Sequence, residues 1–141
     1  MDAINSKAFL SLHLKGFSSP NIPFATFHQG DVDLNFIIDT GSDDNVIDQR
    51  ILKRLNYDKT DYEGTLAGVG GIQKVEGCTL TFQHEDEFFT TKFLASDSIK
   101  EAFDMMQKEY GIQFHGMLGS VFLQQFKIVL DFTTMVAYNR E

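Results

Sequence analysis

Phe36-Ile37-Ile38-Asp39-Thr40-Gly41-Ser42 is the stretch on which the reading of this chain turns. An apolar run delivers an acid into a tight turn that contains glycine, the residue most tolerant of unusual dihedrals. Upstream, Val32, Leu34, Phe36 and Ile38 alternate with other residues, the pattern of a strand with one buried face. Asp39 is therefore expected at a strand end, on rigid backbone. The tripeptide alone is also ordinary turn chemistry, with a carboxylate accepting from nearby amides.

Working outward, Gly30-Asp31 reads as a hairpin turn, and Phe24 to Phe27 as the strand before it. A turn-rich break from Gly16 through Pro20 to Pro23 separates these from a looser strand at Ala8 to Leu14. Downstream, Val46, Ile47, Ile51, Leu52 and Leu55 recur at helical spacing behind the acids Asp43 and Asp44, with Lys53 and Arg54 in the last turn. That predicts a short amphipathic helix.

Between Gly64 and Gly77, five glycines interleave with Thr65, Leu66, Val69, Ile72 and Val75, which predicts two strands joined by a glycine-rich tip. The second continues through Cys78 to Gln83, and Phe88 to Leu94 returns beside it. Asp97 or Ser98 is placed to cap a helix whose Ile99, Ala102, Phe103, Met106 and Tyr110 share one face, ending at Gly111. Phe114 to Leu118 then reads as a strand, Ser120 to Phe126 as a helical turn, and Lys127 to Phe132 with Met135 to Tyr138 as a hairpin.

The segment Phe114-His115-Gly116-Met117-Leu118-Gly119, followed by Val121-Phe122-Leu123, raises the weight of the Asp39 motif, because the two occur in a meaningful order. Together they resemble the retropepsin-like aspartic peptidases. In that family a hydrophobic strand enters Asp-Thr-Gly-Ser/Ala, a glycine-rich flap follows, and a later apolar-Leu-Gly segment packs beside the active turn. The likeness runs over about residues 22–139. It implies a mainly β, closed acid-protease barrel with a flap hairpin and two or three short helices, one domain over residues 1–141.

The resemblance implies a peptide-bond hydrolase that needs no cofactor and no metal. Two carboxylates in contact cannot both ionise, so one keeps a proton and polarises the scissile carbonyl while the other activates water. This chain carries one such motif, so Asp39 is expected to meet Asp39 of a second copy across a twofold axis. Thr40 would brace that pair, and Gly41 would let backbone approach the substrate. Ser42 would aim its hydroxyl at the carboxylate and give a more acidic optimum than alanine there. Asp43 and Asp44 would either contact substrate backbone or cap the next helix, and Gly68, Val69, Gly70 and Gly71 would form a lid tip or a plain hairpin turn. The sequence departs from the viral pattern where Ser120-Val121 follows Gly119 in place of an arginine-containing segment, and in the insert from Ser96 to Gly111. His115 is read as structural.

Composition narrows the alternatives. A net charge of -8 with one adjacent basic pair, Lys53-Arg54, disfavours nucleic acid as a partner. The apolar runs are too short to cross a bilayer, and Leu10 to Phe17 is broken by His13 and Lys15, so no membrane association, no leader and a cytoplasmic location are expected. One cysteine, Cys78, offers neither a disulfide nor a metal spacing with the four histidines. No Gly-Lys-Ser/Thr follows the glycines to cradle phosphate, and no Gly-Thr-Ser follows to complete a subtilisin-like site. The remaining alternative is a catalytically silent peptide-binding or dimerisation module of the same fold.

Overall fold

The alternation ahead of Asp39 sorts its side chains as expected: Leu34, Phe36 and Ile38 are buried, Asp33 is exposed, and Asn35 and Ile37 are half-buried. A computed structural model describes residues 6–11, 13, 14, 22–68 and 71–140. Its elements are β1 (Ser6–Ser11), β2 (His13–Leu14), β3 (Pro23–Gln29), β4 (Val32–Ile38), β5 (Val46–Asp48), a 3₁₀ helix (Gln49–Arg54), β6 (Tyr57–Gly68) and β7 (Gly71–His84). They continue with β8 (Glu87–Ser96), α1 (Lys100–Tyr110), β9 (Gly116–Leu118), α2 (Ser120–Gln125), β10 (Ile128–Asp131) and β11 (Val136–Arg140). The structure is thus mainly β with three short helices.

Eight strands pair in the order β2-β3-β4-β9-β5-β8-β7-β6, and the pairing of His28 with Gln83 joins β3 to β7. That contact closes six of them into a barrel, which removes the open edges of the strands it joins. A barrel this narrow is filled by side chains, and here phenylalanines are prominent among them, beside Leu34, Ile47, Leu80 and Leu118. Phe27, Phe36, Phe82 and Phe93 are fully buried, with Phe82 lying 4.8 Å from Phe27 and 5.2 Å from Phe36 between ring centroids, both edge-to-face. Phe122 from α2 stacks on Phe82 at 6.0 Å and extends the same cluster. Leu130 and Met135 pack against this core beside a second sheet, ordered β1-β11-β10.

Strand β9 is inserted between β4 and β5. It runs parallel to β4, pairing Ile38 with Leu118, and antiparallel to β5, pairing Ile47 with Gly116. The chain from β4 to β5 must therefore cross two strand spacings, about 10 Å, over the end of β9. Backbone approaches backbone closely at both ends of this strand. A Cβ on Gly116 would stand 2.5 Å from the Val46 carbonyl oxygen, and one on Gly119 would stand 2.5 Å from that of Ser42 and closer still to that of Asp44.

Several expectations need correction. Val46 and Ile47 belong to a strand, not a helix, because β5 is paired on both sides, to β9 and to β8. The helical segment that follows starts later and is capped by Asp48, whose carboxylate accepts the Arg50 amide, not by Asp43 or Asp44. Helix α1 ends at Gly111, at φ 74°, as expected, but neither Asp97 nor Ser98 caps its start with a side chain. The Ser98 hydroxyl is engaged with that of Ser96. On α1, Phe103 is buried and Met106 packs beside it in a satellite cluster with Phe24 and Phe114, whereas Ala102 and Met105 face outward. The insert is thus held by its own chain.

No helix among the described residues is long and apolar enough to cross a membrane. Gly116→Ala is expected to destabilise the fold by about 3 kcal/mol, since the added methyl meets backbone that cannot yield. Gly30→Ala, at φ 56° with open space around it, is expected to cost about 1 kcal/mol. Urea unfolding of the two variants measures the difference.

Candidate active site

Asp39 follows the last residue of β4, and its amide donates to the Leu118 carbonyl at 2.9 Å. The turn is closed by the Ser42 amide on the Asp39 carbonyl at 3.1 Å and by the Gly41 amide on Asp39 Oδ1 at 3.0 Å. One carboxylate oxygen is thereby oriented by backbone. The side chain itself is half-buried, and Thr40 and Gly41 are exposed beside it.

The far side of the turn is fastened to the start of α2. The Ser120 amide donates to the Ser42 carbonyl at 2.7 Å, and the Val121 amide to the Asp43 carbonyl at 3.1 Å. These carbonyls satisfy amides that a helix start leaves without internal partners. Asn45, 1% exposed, accepts the Gly119 amide at 2.9 Å and donates to Thr91 Oγ1 and the Lys92 carbonyl at 3.1 and 2.9 Å. The sequence-level reading missed Asn45. An asparagine between two acids and an apolar pair carries no local sign of burial.

The structure brings together Asp39, Gly41, Ser42, Asp43 and Asp44 with Leu118 to Val121. It corrects the expectation for Ser42: its hydroxyl donates to the Asp44 carbonyl at 2.8 Å, within the turn, and is not aimed at Asp39. The turn's path places that carbonyl nearest. Asp43 and Asp44 contribute backbone carbonyls to this lacing, and the helix-capping role proposed for their side chains belongs to Asp48. Gly68 and Gly71 form the last pair of the β6–β7 hairpin, while Val69 and Gly70 lie outside the described residues. Lower in the hairpin, Gly64 lies so close to Leu94 that a Cβ there would be 2.7 Å from its Cδ1, and the Leu94 amide donates to the Asn45 carbonyl. The hairpin thus passes the strand that borders the Asp39 turn.

Two hollows of about 630 and 600 Å³ open on the barrel wall, the first beside Tyr57 and Phe88, the second beside Lys53 and Lys59. Asp39 lines neither. Cys78 is buried in β7, and burial pushes its thiol up to about 11, so the inert thiolate-poor form prevails.

His115 is buried, and its Nδ1 accepts the Asn35 amide at 3.0 Å, which requires the neutral ring. Its carbonyl accepts the Asp48 amide at 2.8 Å, so it braces β4 and β5 below the turn. Burial lowers its pKa below the usual 6.5; Arg54 acts in the same direction, and Asp48 and Asp33 oppose it. Burial alone would raise the Asp48 carboxyl, but hydrogen bonds and charge from Arg50 hold it below 3.8. Arg50 also reaches Asp104 at 3.0 Å, which ties α1 to the barrel.

A scan against protein-family models and a search of curated proteins give no match to this chain.

The His115 brace has a definite pH signature. Because its folded-state pKa lies below the unfolded value, the unfolded chain takes the proton first, and stability falls as pH drops below 6.5. Asp48, depressed below 3.8, adds its own loss only at more acidic pH. His115→Asn keeps an acceptor at the Nδ1 position and removes the titration. Melting temperatures between about pH 7 and 5 are expected to fall in wild type and to stay flatter in the variant.

Proposed function

We propose that this chain is one subunit of a homodimeric aspartic endopeptidase of the retropepsin type, with Asp39 as its catalytic carboxylate. The observation that supports this reading best is the carriage of Asp39. It lies at the end of a strand that pairs with β9, in a turn bonded to both sides of Gly119, with Oδ1 fixed by the Gly41 amide. Thr40 and Gly41 are exposed there, leaving a face on which a second copy can seat.

In the paired site the two Asp39 carboxyls share one proton. The ionised carboxylate takes a proton from water as the water oxygen bonds to the scissile carbonyl carbon. The protonated partner gives its proton to the carbonyl oxygen, forming a neutral tetrahedral diol. Collapse breaks the C–N bond: one diol hydroxyl returns its proton to the dyad as the carbonyl re-forms, and the amine leaves with the proton the water first gave up. No metal or cofactor is needed for this balance. In this reading the β6–β7 hairpin, whose last described pair is Gly68 with Gly71, serves as the flap that covers an extended peptide and pairs with its backbone. Asp43 and Asp44 are the side chains of the turn suited to substrate amides.

A mixed peptide library incubated between about pH 3 and 7, a range that covers ionisation of a carboxyl pair, tests the reading. Wild type is expected to cleave and to sediment as a dimer, and Asp39→Asn to lose cleavage while keeping its melting profile and mass. A folded wild-type dimer that cleaves no peptide would instead favour the silent binding module. Ser42→Ala is expected to keep the wild-type pH–rate profile, since that hydroxyl serves the turn, with a stability loss of about 1 kcal/mol on urea unfolding.

A further inference from the structure

We propose that Asn45 is a positioning residue for Asp39: its buried carboxamide sets the height of the Leu118–Ser120 backbone, and that backbone sets the acid. The orientation of the carboxamide is dictated by its partners. The Lys92 carbonyl can only accept, so it must face the amide nitrogen at 2.9 Å. The Gly119 amide can only donate, so it must face Oδ1 at 2.9 Å. Thr91 takes the second Nδ2 hydrogen, and its own hydroxyl proton goes to Gln125 Oε1 at 2.8 Å, whose Nε2 returns to the Thr90 carbonyl. Every donor and acceptor along this line has a single role, and a flipped amide would set oxygen against oxygen.

Gly119 is the point where the line meets the site. Its neighbour Leu118 accepts the Asp39 amide, and its neighbour Ser120 donates to Ser42. No side chain can cushion the junction, because a Cβ at Gly119 would run into the Asp44 and Ser42 carbonyls. Losing the Asn45 acceptor leaves a buried amide unpaired, and the junction moves to rehydrate it. Asp39 moves with it. A shift of a fraction of an ångström in one carboxyl of a dyad degrades proton sharing without removing any substrate contact.

The part of this inference that concerns turnover rests on the peptidase reading; the part that concerns the placement of Asp39 does not. Amide hydrogen exchange at Asp39 and Gly119 is measured beside peptide turnover for wild type, Asn45→Asp and Asn45→Leu. At neutral pH both variants are expected to lose roughly tenfold or more in protection at the two amides. Leucine removes the acceptor, and an ionised aspartate keeps it but sets its second oxygen against the Lys92 carbonyl, which drives the carboxylate off its place under Gly119. Turnover is expected to fall about 10- to 100-fold in kcat with little change in KM. On acidification the variants part. The carboxyl of Asn45→Asp takes a proton, donates to the Lys92 carbonyl and recovers protection and turnover relative to wild type, whereas Asn45→Leu recovers neither. A merely structural role lowers melting temperature in both variants, leaves Asp39 protection and kcat unmoved and gives both the same pH course, and that result overturns the proposal. Should the Asn45 variants not fold, Thr91→Val reads the same quantities: a smaller loss of the same sign supports the proposal, and unchanged Asp39 protection overturns it. A wild type that cleaves nothing refutes the peptidase reading, and the exchange measurements then decide the positioning of Asp39 alone.

Discussion

The insertion of β9 between β4 and β5 is the constraint on which the rest depends. Two strands adjacent in sequence are held apart by a third, so the segment from Asp39 to Asn45 has to arch over its end. The arch leaves no room for a side chain at Gly119, and it brings the Ser42 and Asp43 carbonyls onto the first amides of α2. An acid placed at the start of that arch is held by its own amide on Leu118, by the Ser42 amide on its carbonyl and by the Gly41 amide on Oδ1. The phenylalanine core below acts through the same strands: Phe36 of β4 and Phe122 of α2 both meet Phe82, so the barrel interior and the turn share their supports.

Legibility in the sequence followed the range of the interactions. The strand before Asp39 was readable because alternation is local and one face of β4 is buried. The hairpin at Gly30, the pairing of the strands that end at Gly68 and begin at Gly71, and the end of α1 at Gly111 were readable because glycine marks them where they occur. Strand β5 was not, because Val46 and Ile47 fit a helical period with Ile51 and Leu55 equally well, and only partners far along the chain, Leu94 and Gly116, make them a strand. Asn45 was invisible for the same reason: its three partners lie on β8 and at Gly119. The Ser42 hydroxyl was misassigned because its acceptor is a backbone carbonyl whose direction depends on the path of the arch.

The charged groups near the turn divide the work differently from the acids in the motif. Asp48 caps the 3₁₀ helix and pairs with Arg50, which carries on to Asp104 on α1, so this ion pair belongs to the scaffold. His115 sits between β4 and β5 as a neutral acceptor, and its protonation sets an acid limit on the support beneath the site. A carboxyl dyad works in acid, and a buried neutral histidine weakens there. The two together favour a working range on the mild side of acidity for the proposed activity.

The claim most exposed to refutation is that each active centre draws one carboxyl from each of two chains. Wild type mixed with Asp39→Asn under conditions of subunit exchange tests it directly. With a shared site, only pairs of two wild-type chains act, so an equal mixture retains about a quarter of the activity that the same total concentration of wild type shows, following the square of the wild-type fraction. A linear decline to about half would mean that each chain carries a complete site and would contradict the account.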